Sequence, residues 1–206
     1  MHLRILLLFS CFVIVANTNA QLLDSIAMSL QEKGKFILKM DNRGSFISTR
    51  SASIWGVKIG VEHNDRVQYG LGYSWLLNKI TRTVEVDGET KNYQLKFGYI
   101  TPFFEYAFYQ RNKWEVSIPV QLGIGRASYQ FKDSIGQKQN IAGSWVFLYE
   151  PAMTVEYRLL PFFGLGLGVG YRLGFKTNPD LDENINAPTY MLKLKLYLPK
   201  TMGQKD

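Results

Sequence analysis

The sequence predicts an all-β fold, an eight-stranded antiparallel up-and-down transmembrane β-barrel behind an N-terminal signal peptide. Three observations predict it. Apolar and polar residues alternate with a period of two through eight segments, the links between segments alternate between short and long, and most glycines gather on the polar face.

Composition removes the competing classes. Of 206 residues, 46% are apolar, too many for a disordered chain, and the single cysteine cannot build a disulfide scaffold. Beyond the N-terminus no uncharged apolar stretch approaches the roughly 18 residues that a membrane-spanning helix needs. His2 and Arg4, the apolar run Ile5 to Ala16 and the small-residue end Thr18-Asn19-Ala20 have the layout of a secretory signal peptide over residues 1–20. The mature chain then starts at Gln21. It loses Cys11, and with it any thiol chemistry, and its net charge falls from +7 to +6 with the loss of Arg4. Residues 21–33 form a periplasmic lead-in, where Leu22 to Glu32 is the one stretch with helical spacing; 34–198 form the barrel and 199–206 a periplasmic tail.

The strands follow in order. Lys35 to Met40 alternates lysine with apolar residues, Ile37 falling on the lysine face. Ser51 to His63 sets Trp55, Val57, Ile59 and Val61 against Gly56, Lys58, Gly60 and Glu62, and Asn64-Asp65 closes a hairpin. Arg66 to Leu77 obeys the alternation at every position. Thr90 to Gln110 opens with Tyr93, Leu95, Phe97 and Tyr99 as its apolar set, then changes face near Pro102 to Phe104, Tyr106 and Phe108, which implies a bulge there. Lys113 to Lys132, Gly143 to Arg158, Phe163 to Phe175 and Thr189 to Leu198 complete the eight. Asn64-Asp65, Arg111-Asn112 and Leu159 to Pro161 are tight links; Asp41 to Arg50, Asn78 to Glu89, Asp133 to Ala142 and Lys176 to Ala187 are expected as long, polar outer loops.

A soluble eight-stranded barrel would show the same periodicity with the faces exchanged, so the polar face must decide. Twelve of the 18 glycines lie on it, among them Gly56, Gly72, Gly98 and the run Gly164, Gly166, Gly168, Gly170. A water-facing wall would carry charge instead, whereas a narrow lumen needs small residues beside a few long ones. The aromatics agree. Trp55, Trp75, Tyr93, Trp145, Tyr171 and Tyr190 fall near the outer strand ends, and Tyr69, Phe108, Trp114, Tyr157 and Phe163 near the inner ends, as two interfacial girdles.

With the signal peptide, the eight alternating strands and segments such as Trp114-Glu115-Val116-Ser117-Ile118-Pro119 and Gly164 to Gly170, the chain resembles the small OmpA-like and OmpX-like outer-membrane barrels over about Gly34 to Leu198. Such barrels often end on an aromatic residue; here Pro199 to Asp206 follow the last strand. The resemblance implies residence in the bacterial outer membrane as a monomer, among outer-membrane lipids and lipopolysaccharide. Delivery would be by periplasmic chaperones and the barrel-assembly machinery.

Candidate chemistry is sparse. The sole mature histidine, His63, flanks an inner turn, whereas the lipid A deacylases and palmitoyltransferases that share the architecture work at the outer leaflet, so His63 reads as an interface residue. On the lumen face Glu62, Glu105, Glu115, Glu150 and Glu156 can meet Lys35, Lys39, Lys58, Arg66, Lys96, Arg158, Arg172, Lys193 and Lys195, a network with residual positive charge that fills the bore. Asn178, Asp180, Asp182 and Asn184 lack the glycine and distant glutamate of a calcium loop and read as solvated. No nucleic-acid motif is present, and no catalytic, cofactor or metal residue is assigned. The expected function is a non-enzymatic structural or surface-interaction role in the cell envelope. The alternatives are a narrow solute pore or a lipid-modifying enzyme.

Overall fold

The computed structural model describes residues 21–86, 89–132, 138–177 and 184–198. The expected signal peptide and the tail from 199 lie outside them. A helix, α1 (residues 21–31), precedes nine antiparallel strands. These are β1 (Lys35–Ile47), β2 (Arg50–His63), β3 (Val67–Leu76), β4 (Ile80–Val86), β5 (Glu89–Arg111), β6 (Trp114–Lys132), β7 (Lys138–Leu160), β8 (Phe163–Lys176) and β9 (Ala187–Tyr197).

Each strand pairs with its sequence neighbour except that β3 pairs with β5 past the short β4, and β1 pairs with β9, so the sheet closes into a ring of eight staves. Closure leaves none of the eight staves with an unpaired edge, which a strand in hydrocarbon requires, while β4 pairs with β5 alone on the outer extension. The turns show why the hairpins close where they do. Asn64 and Asp65 are both left-handed, with φ of 51° and 53°, the geometry a two-residue turn needs to match strand twist. Asn112 takes φ 57° at the next inner turn.

The outer ends differ from the sequence expectation. Asp41 to Arg50 is strand rather than loop: β1 runs to Ile47 and only Ser48-Thr49 turns, Ser48 at φ 54°. Its polar residues misled because a strand facing a polar lumen tolerates them. Asp41, Arg43 and Ser45 point inward and are buried, and Gly44 leaves the space that the Tyr190 ring occupies. Asn78 to Glu89 contains β4, paired with the outer part of β5, and β7 already begins at Lys138. β5 and β7 each have 23 residues, about twice the 9–11 that cross a bilayer, so they stand well beyond it.

β5 corrects a second expectation. Its alternation is continuous: Leu95, Phe97, Tyr99, Thr101, Phe103, Glu105 and Ala107 are all buried and inward, with no change of face at Pro102. The bulge lies further on, between Ala107 and Tyr109. Tyr93 therefore leaves the outer girdle and packs on an inward cluster of Ile47, Ile54, Ile80, Leu95, Phe97, Tyr99, Val146, Leu148 and Ile185. Apolar side chains here mark the interior of the protruding outer end, not lipid. Gly98 and Lys96 consequently face outward.

Elsewhere the expected faces hold. Ile59, Leu71, Tyr73, Ile118, Leu122, Phe147, Met153, Leu167, Val169 and Leu192 form an exposed apolar exterior. Trp145, Tyr171 and Tyr190 lie exposed at its outer margin, and Tyr69, Phe108 and Trp114 at its inner margin.

Candidate functional site

The interior of the bilayer-level barrel is a continuous array of ion pairs. Three groups follow the axis. Toward the inner end, Lys195 Nζ lies 2.6 Å from Glu62 Oε1 and 3.5 Å from both Glu115 Oε2 and Glu156 Oε1, while Gln68 Nε2 donates to Glu62 at 2.9 Å and Glu115 at 3.2 Å. Next, Glu105 accepts from Lys39 at 2.6 Å, Lys193 at 2.5 Å and the Ser117 hydroxyl at 2.6 Å. At mid-height Arg43 bonds Glu150, Tyr99 Oη at 3.1 Å and Ser74 Oγ at 2.5 Å, with Asp41 bridging Arg43 and Lys58. Above these, Arg172 donates to the carbonyls of Ile185 and Phe46 and to Ser45 Oγ, closing the network under the apolar cluster.

Charge balance follows from this geometry. The buried acids are Asp41, Glu62, Glu105, Glu115, Glu150 and Glu156, and the buried bases Lys39, Arg43, Lys58, Arg172, Lys193 and Lys195. Six meet six among the described residues, so the residual positive lumen charge expected from the sequence is absent there. Lys96 faces out. Lys35 and Arg158 sit at the inner mouth on Asp65, at 3.2 and 3.6 Å, and Arg66 is half-buried beside the turn. Asp41 and Arg43 were missed because their segment read as a loop. The period-two continuation Ile37-Lys39-Asp41-Arg43-Ser45 was the signal that could have found them. A buried charge left unpaired would be costly, so near neutrality is what a closed bore demands.

There is little room inside. The void at the centre of the network, lined by Lys39, Asp41, Lys58, Phe103, Glu105 and Lys193, measures about 10 Å³. That is the scale of a single water. The glycine run on β8 is filled by adjacent strands, Glu156, Lys193, Thr154 and Met191 lying against Gly164, Gly166 and Gly168, rather than by Lys35, Lys39 or Lys58 from across the bore. A larger cavity of about 160 Å³ opens at the inner mouth among Asp65, Lys113, Trp114, Glu115, Arg158 and Tyr197.

Asp65 is the titrating group at that mouth. Partial burial pushes its carboxyl up, but the hydrogen bond and charge of Lys35, with Arg158, outweigh burial and hold it below the ordinary aspartate range. His63 lies where the sequence placed it, beside the inner turn, with Nδ1 2.8 Å from the Glu32 carbonyl and its ring stacked on Tyr69. Of the polar outer loop, Asn178, Asp180 and Asp182 lie outside the described residues; Asn184 exchanges hydrogen bonds with Ser48.

The closed antiparallel ring has counterparts among solved structures. Neisserial surface protein A matches at a TM-score of 0.57 and 15% identity, over 81% of this chain and all of that one. Ail, the attachment invasion locus protein of Yersinia pestis, seen with the heparin analogue sucrose octasulfate, matches at 0.50 and 16%, over 81% of this chain and 99% of that one. The chain has the fold of the small outer-membrane β-barrels. No family model and no curated protein matches the chain. The features of this barrel are therefore read from its own residues: a bore whose described buried charges balance and an apolar-cored extension above it.

Proposed function

We propose that this outer-membrane barrel works as a closed, non-enzymatic structural or surface-interaction protein of the cell envelope, its contacts made from the outside of the barrel. One observation carries the reading: the described bore is occupied by ion pairs in near balance, and the void at the centre of the network is water-sized. The protruding strands β5 and β7 support it, since they build an ordered surface beyond the bilayer. The protein is read as a monomer surrounded by outer-membrane lipid and lipopolysaccharide, inserted by periplasmic chaperones and the barrel-assembly machinery.

The pore reading differs in one measurable way. Purified protein in planar bilayers should give no resolved conductance steps, and Lys193→Gln, which leaves lumen carboxylate in excess, should not create a cation-selective one. Steady steps whose selectivity follows lumen charge would overturn the closed reading. A changed lipid A mass spectrum on deletion, restored by the wild-type gene, would overturn the non-enzymatic one.

A further inference from the structure

The helix α1 leaves much of its apolar side uncovered. Leu22, Ile26 and Leu30 follow one another at a spacing of four and share a side with Leu23. In water that side would turn onto the barrel. Instead Leu22, Leu23 and Leu30 are exposed, Leu23 at 64%, while Ser29 is 1% exposed and Ser25 Oγ accepts a hydrogen bond from Tyr106 Oη at 2.9 Å. Ser25 and Ser29 dock on the barrel with half-buried Ile26, and Leu22 lies at the flank of the contact, while Leu23 and Leu30 look away from it.

The docking point supplies the reason. Tyr106 is on the outward face of β5, and its register partner Val67 faces outward yet is fully buried, on the stretch of wall where Ser25 is fastened to Tyr106. A second tie holds the other end, from His63 Nδ1 to the Glu32 carbonyl. The helix thus lies against the outer wall at the inner aromatic margin, beside exposed Tyr69, Phe104 and Phe108. Its leucines continue that apolar exterior outward from the wall.

We propose that α1 is an interfacial anchor seated in the inner-leaflet phospholipid of the outer membrane, with Leu22, Leu23 and Leu30 in the acyl boundary and Asp24 and Gln31 toward water. A helix lying in the interface buries its apolar side to a depth of about 5–10 Å, and the strand wall beside it is apolar at that level. This rests on the reading of the barrel as transmembrane. The proposal seats the periplasmic lead-in expected over 21–33 against the inner face of the membrane.

The test uses the full chain carrying Cys11→Ser, purified from membranes into phosphatidylethanolamine–phosphatidylglycerol vesicles, with a nitroxide on Leu23→Cys, Asp24→Cys or Leu167→Cys in turn. The label at 23 should be relaxed several-fold more by oxygen than by a water-soluble nickel chelate, and the label at 24 should show the reverse preference. Equal, strong relaxation of both by the chelate would overturn the anchor. The label at 167 separates the two claims: if it alone stays oxygen-preferring, only the anchor fails, and if it also reports water, the transmembrane reading fails with it.

Discussion

Lys195 on β9 and Glu62 on β2 meet at 2.6 Å across the intervening β1, and both side chains are wholly shut off from solvent. Lys195 also lies 3.5 Å from the carboxylates of Glu115 and Glu156, so its removal takes a shared cation from three buried acids at once. Removing one member of a buried pair typically costs about 3–5 kcal/mol because the other is left uncompensated. Lys195→Met should therefore lower the urea midpoint of the vesicle-embedded barrel by an amount of that order. Lys35→Met breaks an exposed pair at the mouth and should cost no more than about 1 kcal/mol. Similar midpoints for the two variants would refute the buried-network description.

The β8 glycines yield a steric contrast between neighbours. A Cβ on Gly168 would fall 2.5 Å from Thr154 Cγ2, 2.8 Å from Met191 Cγ and 2.9 Å from the Met153 carbonyl oxygen, which is backbone and cannot swing away. Gly168→Leu should destabilise the barrel by about 1–3 kcal/mol or more, through overpacking, and lower the temperature at which the heat-modified gel band appears. Val169→Leu, on the exposed exterior, should leave that temperature unchanged.

Leu167 tests the exterior directly. It is 67% exposed in the chain alone and lies within the apolar belt. Leu167→Arg should cost about 2–4 kcal/mol if the position is near the bilayer midplane, read as reduced assembly into vesicles. The same variant folding with wild-type yield would mean that this face meets water.

Asp65 sets the acid response of the inner mouth. Its folded pKa lies below the ordinary value, so the stability it contributes is present above the unfolded aspartate pKa, near 3.9, and is lost as pH falls through the lower folded value. The group is more than a third exposed, so solvent screening keeps the effect at or below about 1 kcal/mol. Between pH 5 and pH 3 the wild type should lose stability that Asp65→Asn never had, and the two denaturation midpoints should converge. Parallel curves across that window would show that Lys35 and Arg158 do not hold the carboxylate.

Period-two alternation, turn residues and glycine placement are local properties of the chain, and they sufficed for the antiparallel barrel, the lipid-facing positions of β2, β3, β6, β7, β8 and β9, and the inner turn at Asn64-Asp65. His63 was placed correctly for the same reason. What composition could not reveal was which enclosure a residue faces. Leu95, Phe97 and Tyr99 are apolar whether they meet lipid or a packed interior, and only the path of β5 beyond the bilayer turns them inward. Asp41 and Arg43 read as loop because their polarity is explained only by partners far away in sequence, Glu150 being 107 residues from Arg43. Ring closure brought those partners within hydrogen-bonding distance, and with them the balance of buried charge among the described residues of the bore. The seating of α1 was likewise a tertiary matter: the amphipathic pattern marked a helix, but the side turned to the barrel depends on the Tyr106–Ser25 contact between segments 81 residues apart.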